Sequence, residues 1–146
     1  MAERRANAIW EGNLAEGKGT IVSVGSGAIG NLPITWAART ESSDGKTSPE
    51  ELIAAAHGAC FAMSCGNELF KAGYALESAN VTATCTADRV DGRFTIIAMD
   101  LDLSAKVANI DRTEFERVIN IAKTGCPVSR ALASNIEIRL RAHLED

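Results

Sequence analysis

The sequence predicts an α+β domain with a mostly antiparallel sheet. Three observations lead to this fold class: short strands with glycine-rich turns in the first third, one long apolar helix beginning near Ser48, and alternating apolar and polar residues in later segments. The 146 residues, 46% hydrophobic and 23% charged, are typical of a globular domain. No linker-like stretch divides the chain, so we expect a single domain over residues 1–146.

Three strands are predicted at residues 6–11, 19–24 and 33–40, separated by glycines. The segment Gly25–Gly30 matches the pattern G-x-G-x-x-G of dinucleotide-binding folds. That mechanism requires a helix to begin there, whereas Pro33 and β-prone residues follow. The segment is therefore predicted to be a hairpin loop.

A helix is predicted from Ser48 through Phe70, ending near Gly73. Ser48 is a suitable N-cap, Pro49 fits the first helical position and Glu51 completes a capping box. Because apolar residues occur on nearly all faces, this helix is expected to be central and buried.

Two strands follow at residues 78–89 and 93–107, joined at Asp91-Gly92, a strong hairpin signal. Alternation in the second strand predicts one apolar face, formed by Ile97, Met99, Leu101 and Leu103.

The rest of the chain reads as two helices and a final strand. The first helix opens at Asp111 or Thr113, and its apolar stripe consists of Phe115, Val118, Ile119 and Ala122. A short helix starts at Pro127, and residues 136–142 alternate like a strand with one wet face.

Composition limits the partners and the compartment. The net charge is −4, so the chain has no excess of basic residues. This argues against nucleic acid as a binding partner. No apolar run follows the N-terminus, so no secretory signal is expected, and the weakly polar stretch Leu52–Met63 is too short to span a membrane. We therefore expect a cytoplasmic protein, in which a disulfide is transient and catalytic.

Two of the four cysteines attract attention. Cys60 lies inside the long apolar helix, where a thiol is usually inert, and Cys126 lies at a helix start, where a thiol is usually acidic. If the fold brings them together, they form a redox-active dithiol. A purely structural interpretation predicts that the two lie far apart, and Cα atoms more than about 7 Å apart with no mobile segment would support it. Cys65 and Cys85 are interpreted as packing residues.

His57 and Arg39 have competing interpretations. His57 lies three residues before Cys60, but the chain has only two histidines, so a zinc site is a weak hypothesis and a packed histidine with one hydrogen bond is favoured. Arg39 ends a predicted strand and is a candidate cation for a reactive thiolate. The alternative is an exposed arginine at a strand end.

Two segments together resemble the OsmC/Ohr family. Residues 48–63 read SPEELIAAAHGACFAM, and residues 125–129 read GCPVS. The start of the chain, AIWEG at 8–12 and GKGT at 17–20, resembles the OsmC (osmotically inducible protein C) branch. The resemblance covers essentially the whole chain.

The resemblance implies an OsmC-like fold, in which a mostly antiparallel sheet wraps around a long buried central helix in an intertwined homodimer. It implies a thiol-dependent peroxidase for organic hydroperoxides and hydrogen peroxide, serving oxidative and osmotic stress defence without a metal, flavin or other cofactor. By resemblance, Cys60 is the peroxidatic and Cys126 the resolving cysteine, while Glu50 holds Arg39. An external dithiol, with a lipoyl group as one candidate, would reduce the enzyme.

This assignment makes one structural demand. Glu50 and Cys60 are ten residues apart, which is about 15 Å along an unbroken helix. Either the helix is interrupted, or Arg39 and Glu50 act across a subunit interface, which is the favoured alternative. A rival function is a non-catalytic redox-sensing or ligand-binding module that uses the same dithiol.

Overall fold

The computed structural model describes all residues, 1–146, and they form two compact units, residues 1–52 and residues 53–146. A single domain over the whole chain stays a prediction. None of the helices combines the length and the apolar character needed to cross a bilayer.

The N-terminal unit contains a three-stranded antiparallel sheet in the order β1-β2-β3. The strands are β1 (Ala6–Glu11), β2 (Lys18–Val24) and β3 (Gly30–Thr35). The glycine-rich segment forms the turn between β2 and β3, and no helix starts there, so the hairpin-loop prediction is confirmed.

The predicted strand over residues 33–40 is wrong in its second half. β3 ends at Thr35, and residues Trp36–Thr40 form a short helix, α1. The Thr35 hydroxyl accepts a hydrogen bond from the Ala38 backbone N–H at 3.1 Å, which caps this helix. Arg39 is therefore a helical residue and does not end a strand.

The long helix α2 (Pro49–Lys71) is unbroken and begins and ends as predicted. The Ser48 hydroxyl accepts from the Glu51 N–H at 3.1 Å, and Gly73 follows the helix with φ of +86°. The Glu51 carboxylate bonds the Thr47 hydroxyl at 2.9 Å, so only the Ser48 half of the capping box forms.

Burial of α2 differs from the expectation on one side. Residues at a spacing of four, His57, Phe61, Cys65 and Leu69, are fully buried. On the other side, Met63 is 77% and Phe70 80% exposed. Within a single chain, the C-terminal core covers only one side of this helix.

The C-terminal unit has a second sheet in the order β4-β5-β6. Strands β4 (Leu76–Val90) and β5 (Arg93–Val107) form the predicted hairpin, with φ of +50° at Asp91 and +78° at Gly92. The last strand, β6 (Glu137–Leu144), pairs with β5 in parallel, and the intervening helices provide the crossover that this requires.

The predicted apolar face of β5 is confirmed except at one residue. Met99, Leu101 and Leu103 are buried, whereas Ile97 is 38% exposed. The pairing skips Ile97, because Thr86 pairs with Ala98 and Ala87 with Ile96. Because of this irregularity, Ile97 does not share the buried face of Met99, Leu101 and Leu103.

Two helices complete the C-terminal unit. Helix α3 (Arg112–Gly125) is capped by Asp111, which accepts from the Glu114 N–H at 2.9 Å, so Asp111 rather than Thr113 opens it. Its predicted stripe is buried, and the short helix α4 (Pro127–Leu132) starts where predicted, with Cys126 as N-cap. The core includes side chains of α2, β5 and α3, among them Phe61, Leu69, Met99, Leu101, Phe115 and Ile119.

Candidate active site

Cys60 and Cys126 meet in the C-terminal unit. Their sulfur atoms lie 3.3 Å apart, although the residues are 66 positions apart in the chain. Both are free thiols, and Cys60 is partly exposed, whereas Cys126 is completely buried. The structural interpretation, in which the two lie far apart, is wrong. Closing the gap to a bond length of about 2.05 Å would form a disulfide.

The surroundings of the two thiols move their pKa values in opposite directions. For Cys60, burial and then the neighbouring Cys126 raise the pKa above its ordinary value, and the Val128 N–H only partly offsets them. For Cys126, burial also acts to raise the pKa, but hydrogen bonds outweigh it and the pKa is lowered. The donors are the Ser129 N–H, the Cys60 thiol, the Ser129 hydroxyl and the Val128 N–H.

Cys126 is therefore the more acidic of the two thiols within this unit. That order agrees with the sequence argument, which placed Cys126 at a helix start. Cys65, by contrast, is fully buried, and its pKa rises to about 12, chiefly through burial. Cys85 is partly buried against the core. Both keep the packing interpretation.

Cys60 opens onto a cavity of about 340 Å³. Met63, Ala122 and Pro127 supply apolar walls, and Asn67 and Glu68 give it a polar rim. Phe61, which follows Cys60 in the chain, does not line this cavity and is completely buried in the core. The cavity therefore admits a small molecule to Cys60 while Cys126 stays behind it.

His57 makes one hydrogen bond, as predicted. Its Nε2 lies 2.7 Å from the Ser129 hydroxyl, and both residues are buried. Ser129 in turn contacts Cys126, a role that sequence reasoning missed although Ser129 lies three residues after that cysteine. No group of three or more His, Cys, Asp or Glu side chains has the arrangement of a metal site.

Arg39 and Glu50 form a close ion pair in the N-terminal unit. Arg39 Nη2 lies 2.6 Å and Nε 2.8 Å from the same carboxylate oxygen, and Nε lies 3.1 Å from the other. Glu50 is only 8% exposed, and the Arg39 guanidinium lies over the Trp36 ring at 5.6 Å. The pairing expected from the resemblance is present, and the arginine is held on two sides.

Arg39 lies at the wall of a second cavity, of about 240 Å³. Its lining is largely apolar and includes Trp10, Leu14, Ile34 and Trp36. Trp10 packs so closely on the neighbouring strand that a Cβ at Gly19 would lie 2.8 Å from the indole. The guanidinium is thus presented beside an apolar surface.

The interrupted-helix alternative is wrong, because α2 runs without a break from Pro49 to Lys71. Glu50 lies in its first turn and Cys60 in its middle, so Glu50 and Cys60 of one chain are separated along the helix axis.

Comparisons with known proteins identify the family of the chain. Residues 42–141 match the family of OsmC-like proteins. The chain is 41% identical over 135 residues to Peroxiredoxin OsmC of Escherichia coli, with 92% of this chain and 93% of that protein covered. Peroxiredoxin OsmC of Shigella flexneri matches to the same extent.

Solved structures share the fold at lower sequence identity. The organic hydroperoxide resistance protein OhrB of Bacillus subtilis has a TM-score of 0.69 at 21% identity, over 97% of this chain and 98% of that one. An organic hydroperoxide resistance protein of Elizabethkingia anophelis has a TM-score of 0.72 at 22% identity, over 97% and 96%. The family match and the curated relatives place this chain in the OsmC family.

Proposed function

We propose that this protein is a thiol-dependent peroxidase that reduces organic hydroperoxides and hydrogen peroxide through a two-cysteine cycle. The observation that carries the proposal is the 3.3 Å approach of Cys60 to Cys126, with Cys60 open to a cavity and Cys126 buried behind it. The kinship with Peroxiredoxin OsmC supports it.

The proposed cycle has three steps. The Cys60 thiolate attacks one oxygen of the peroxide, the O–O bond breaks, and an alcohol or water leaves after taking a proton, so Cys60 becomes a sulfenic acid. Cys126 attacks that sulfur as a thiolate, the S–O bond breaks, and hydroxide leaves and takes a proton to become water, which leaves a Cys60–Cys126 disulfide. An external dithiol then reduces the disulfide in two exchange reactions and is itself oxidised.

Cys60 has to be a thiolate in the first step, and its own unit disfavours that state. Burial and Cys126 raise its pKa, so a cation from elsewhere is needed. We propose that Arg39 supplies it, with Glu50 and Trp36 holding the guanidinium in place. The apolar cavity beside Arg39 suits a hydroperoxide with an alkyl group.

We further propose an intertwined homodimer in which Arg39 and Glu50 of one subunit serve Cys60 of the other. The unbroken α2 and the exposed Met63 and Phe70 on its uncovered side support this arrangement. A complementation experiment at pH 7 tests it, using a Cys60→Ser chain that is inactive alone and an Arg39→Gln chain whose own turnover is about 10- to 100-fold reduced. Refolded together, they should regain about a quarter of the wild-type activity, because half of the dimers carry one complete site. No recovery in mixed dimers that are confirmed by mass would contradict a shared site.

The reductant is proposed to be a dithiol, of which a lipoyl group is one form, and the setting a cytoplasm. A disulfide that forms in every cycle needs a reducing compartment to be reopened. Steady-state rates with lipoyl, glutathione-type and simple dithiols would rank the candidates.

The direct test of function is Cys60→Ser, assayed with an alkyl hydroperoxide and dithiothreitol. Turnover should disappear, while Cys85→Ser, which removes a thiol elsewhere in the unit, should retain it. Normal turnover in Cys60→Ser would sink the proposal. Wild-type protein that is oxidised once but does not turn over would instead indicate the redox-sensing alternative.

A further inference from the structure

The peroxidase cycle leaves one buried polar pair without a task. His57 on α2 and Ser129 on α4 lie 72 residues apart in the chain, and Nε2 and the hydroxyl oxygen are 2.7 Å apart. His57 is 0% and Ser129 2% exposed. A polar pair in the core is costly to bury and needs its hydrogen bonds satisfied. The third member of the group is the Cys126 thiol, which both the N–H and the hydroxyl of Ser129 contact.

The position of the His57 proton follows from the surroundings. Burial lowers the pKa of His57, which leaves a neutral ring with one N–H at physiological pH. Nδ1 is buried without a hydrogen-bond partner in the chain. An unpaired buried donor is rarer than an unused acceptor, which places the proton on Nε2. His57 then donates to the Ser129 oxygen, and the Ser129 hydroxyl is left to donate to Cys126.

Given the proposed function, we infer that the His57–Ser129 pair makes Cys126 the leaving group of the disulfide, so that the reducing dithiol attacks Cys60. Accessibility points the same way, because Cys60 lines the open cavity and Cys126 is completely buried. Ser129 touches the reacting sulfur. His57 acts through Ser129 and is a positioning residue.

The Cys60–Cys126 disulfide is reduced by two successive thiol–disulfide exchanges. A thiolate of the reductant attacks the Cys60 sulfur, a new S–S bond forms there, and the Cys60–Cys126 bond breaks with its electron pair on Cys126. The Ser129 hydroxyl and N–H stabilise that thiolate until it takes a proton. The second thiol of the reductant, once deprotonated, attacks the first sulfur of the reductant, which is bonded to Cys60. The bond to Cys60 breaks and Cys60 leaves as a thiolate. The reductant leaves as a cyclic disulfide. A leaving thiol of lower pKa leaves faster, so the pair accelerates this half of the cycle.

The first experiment measures the two half-reactions separately in Ser129→Ala and His57→Leu. Reduction of the disulfide by dithiothreitol should slow about 3- to 10-fold, because a hydrogen bond to a thiolate is lost. Peroxide consumption in a single turnover, which needs only Cys60, should not slow. His57→Gln keeps a side-chain N–H and should stay within about twofold of wild type. His143→Gln on the edge strand β6 and Ser104→Ala on the middle strand β5 are matched controls.

The second experiment needs no substitution and no peroxide. Wild-type protein oxidised by a disulfide-forming reagent is treated with a monothiol, acid-quenched and mapped by peptide mass. The mixed disulfide should be found on Cys60. An adduct on Cys126 would overturn the inference, and so would unchanged reduction rates in both Ser129→Ala and His57→Leu. Equal slowing of both half-reactions, without rescue by His57→Gln, would also overturn it, because that result indicates a structural role only.

A third readout examines Cys126 itself. In Cys60→Ser, thiolate absorbance is followed against pH, with Cys60→Ser/Cys126→Ser as the blank for Cys65 and Cys85. The titratable groups around Cys126 include Cys60, Cys65 and, through Ser129, His57. Adding Ser129→Ala should move the Cys126 titration to higher pH, and an unmoved titration counts against the inference. Peroxide turnover by Cys60→Ser would instead defeat the proposed function, so the two failures are distinguishable.

Discussion

The two units of this chain are built on different physical principles. Every hydrophobic side chain that the chain buries, from Phe61 to Cys126, lies in the C-terminal unit. In the N-terminal unit only Gly17 and Glu50 are buried, and β1 is exposed along its whole length. The C-terminal unit therefore has a core of its own, whereas the N-terminal unit depends on a small sheet and on the Arg39–Glu50 pair, the more buried of its two ion pairs.

The chemistry divides along the same line. The C-terminal unit holds both thiols and surrounds them with neutral hydrogen-bond groups, which favour Cys126 over Cys60 as the thiolate. The N-terminal unit holds the buried carboxylate Glu50 and the cation Arg39 that it fixes. The proposed peroxidase cycle needs both contributions.

The largest expected effect is on the core. Phe115→Ala removes a completely buried ring on α3 and should lower the free energy of unfolding by about 3–5 kcal/mol. Ile29→Ala, in the β2–β3 turn of the N-terminal unit where Ile29 is 40% exposed, should cost less than about 0.5 kcal/mol. Urea unfolding measures both. Similar costs would mean that the N-terminal sheet is covered in solution, and would remove the contrast.

The next effect concerns the cation. Arg39→Gln should reduce peroxide turnover at pH 7 by about 10- to 100-fold, because an opposite charge near a thiol lowers its pKa and its loss reduces the thiolate fraction. Without the cation, burial leaves the pKa of Cys60 raised, so the thiolate fraction and the rate of the variant should keep rising as the pH increases. Wild type should reach its plateau at lower pH.

The matched control is Arg112→Gln, which breaks an exposed pair with Glu116 on α3 and should leave the pH profile unchanged. Arg39→Lys retains the charge but loses the bidentate contact to Glu50. Its turnover at pH 7 should lie between those of Arg39→Gln and Arg112→Gln. A pH profile of Arg39→Gln identical to that of wild type would mean that a cation other than Arg39 stabilises the Cys60 thiolate.

Local chemistry explains which features the sequence predicted. The α2 cap at Ser48 and the turn at Asp91-Gly92 each depend on neighbouring residues, so the sequence contains their whole cause. The buried stripe of α3 follows from helical periodicity in the same way. The pairing of Arg39 with Glu50 was expected only by resemblance to a family.

Features that depend on distant partners were missed. The parallel pairing of β6 and the skipped Ile97 are properties of strand register, which no local pattern specifies. One local feature also differs from the prediction: residues 36–40 are predicted as strand because Ile34 and Trp36 are β-prone, whereas the nearby Thr35 cap begins α1 there. The partner of His57 lies 72 residues away, so only the assembled fold identifies Ser129.

The smallest expected effects come from removing one helix cap in each unit. They distinguish a cap that positions Arg39 from a cap that stabilises the fold. Thr35 caps α1, which carries Arg39, and Asp111 caps α3, which packs in the core. Asp111→Ala should cost about 1 kcal/mol of unfolding free energy and leave peroxide turnover unchanged.

Thr35→Ala should do the opposite. It should lower turnover about threefold by loosening the start of a five-residue helix, with little change in unfolding, because α1 contributes no buried residue. Turnover and urea unfolding are measured on both variants. If Thr35→Ala changed stability and not turnover, the N-terminal unit would be contributing to the core rather than placing a cation. Arg39 would then be assigned a role in stability and not in catalysis, and the functional contrast between the two units would no longer hold.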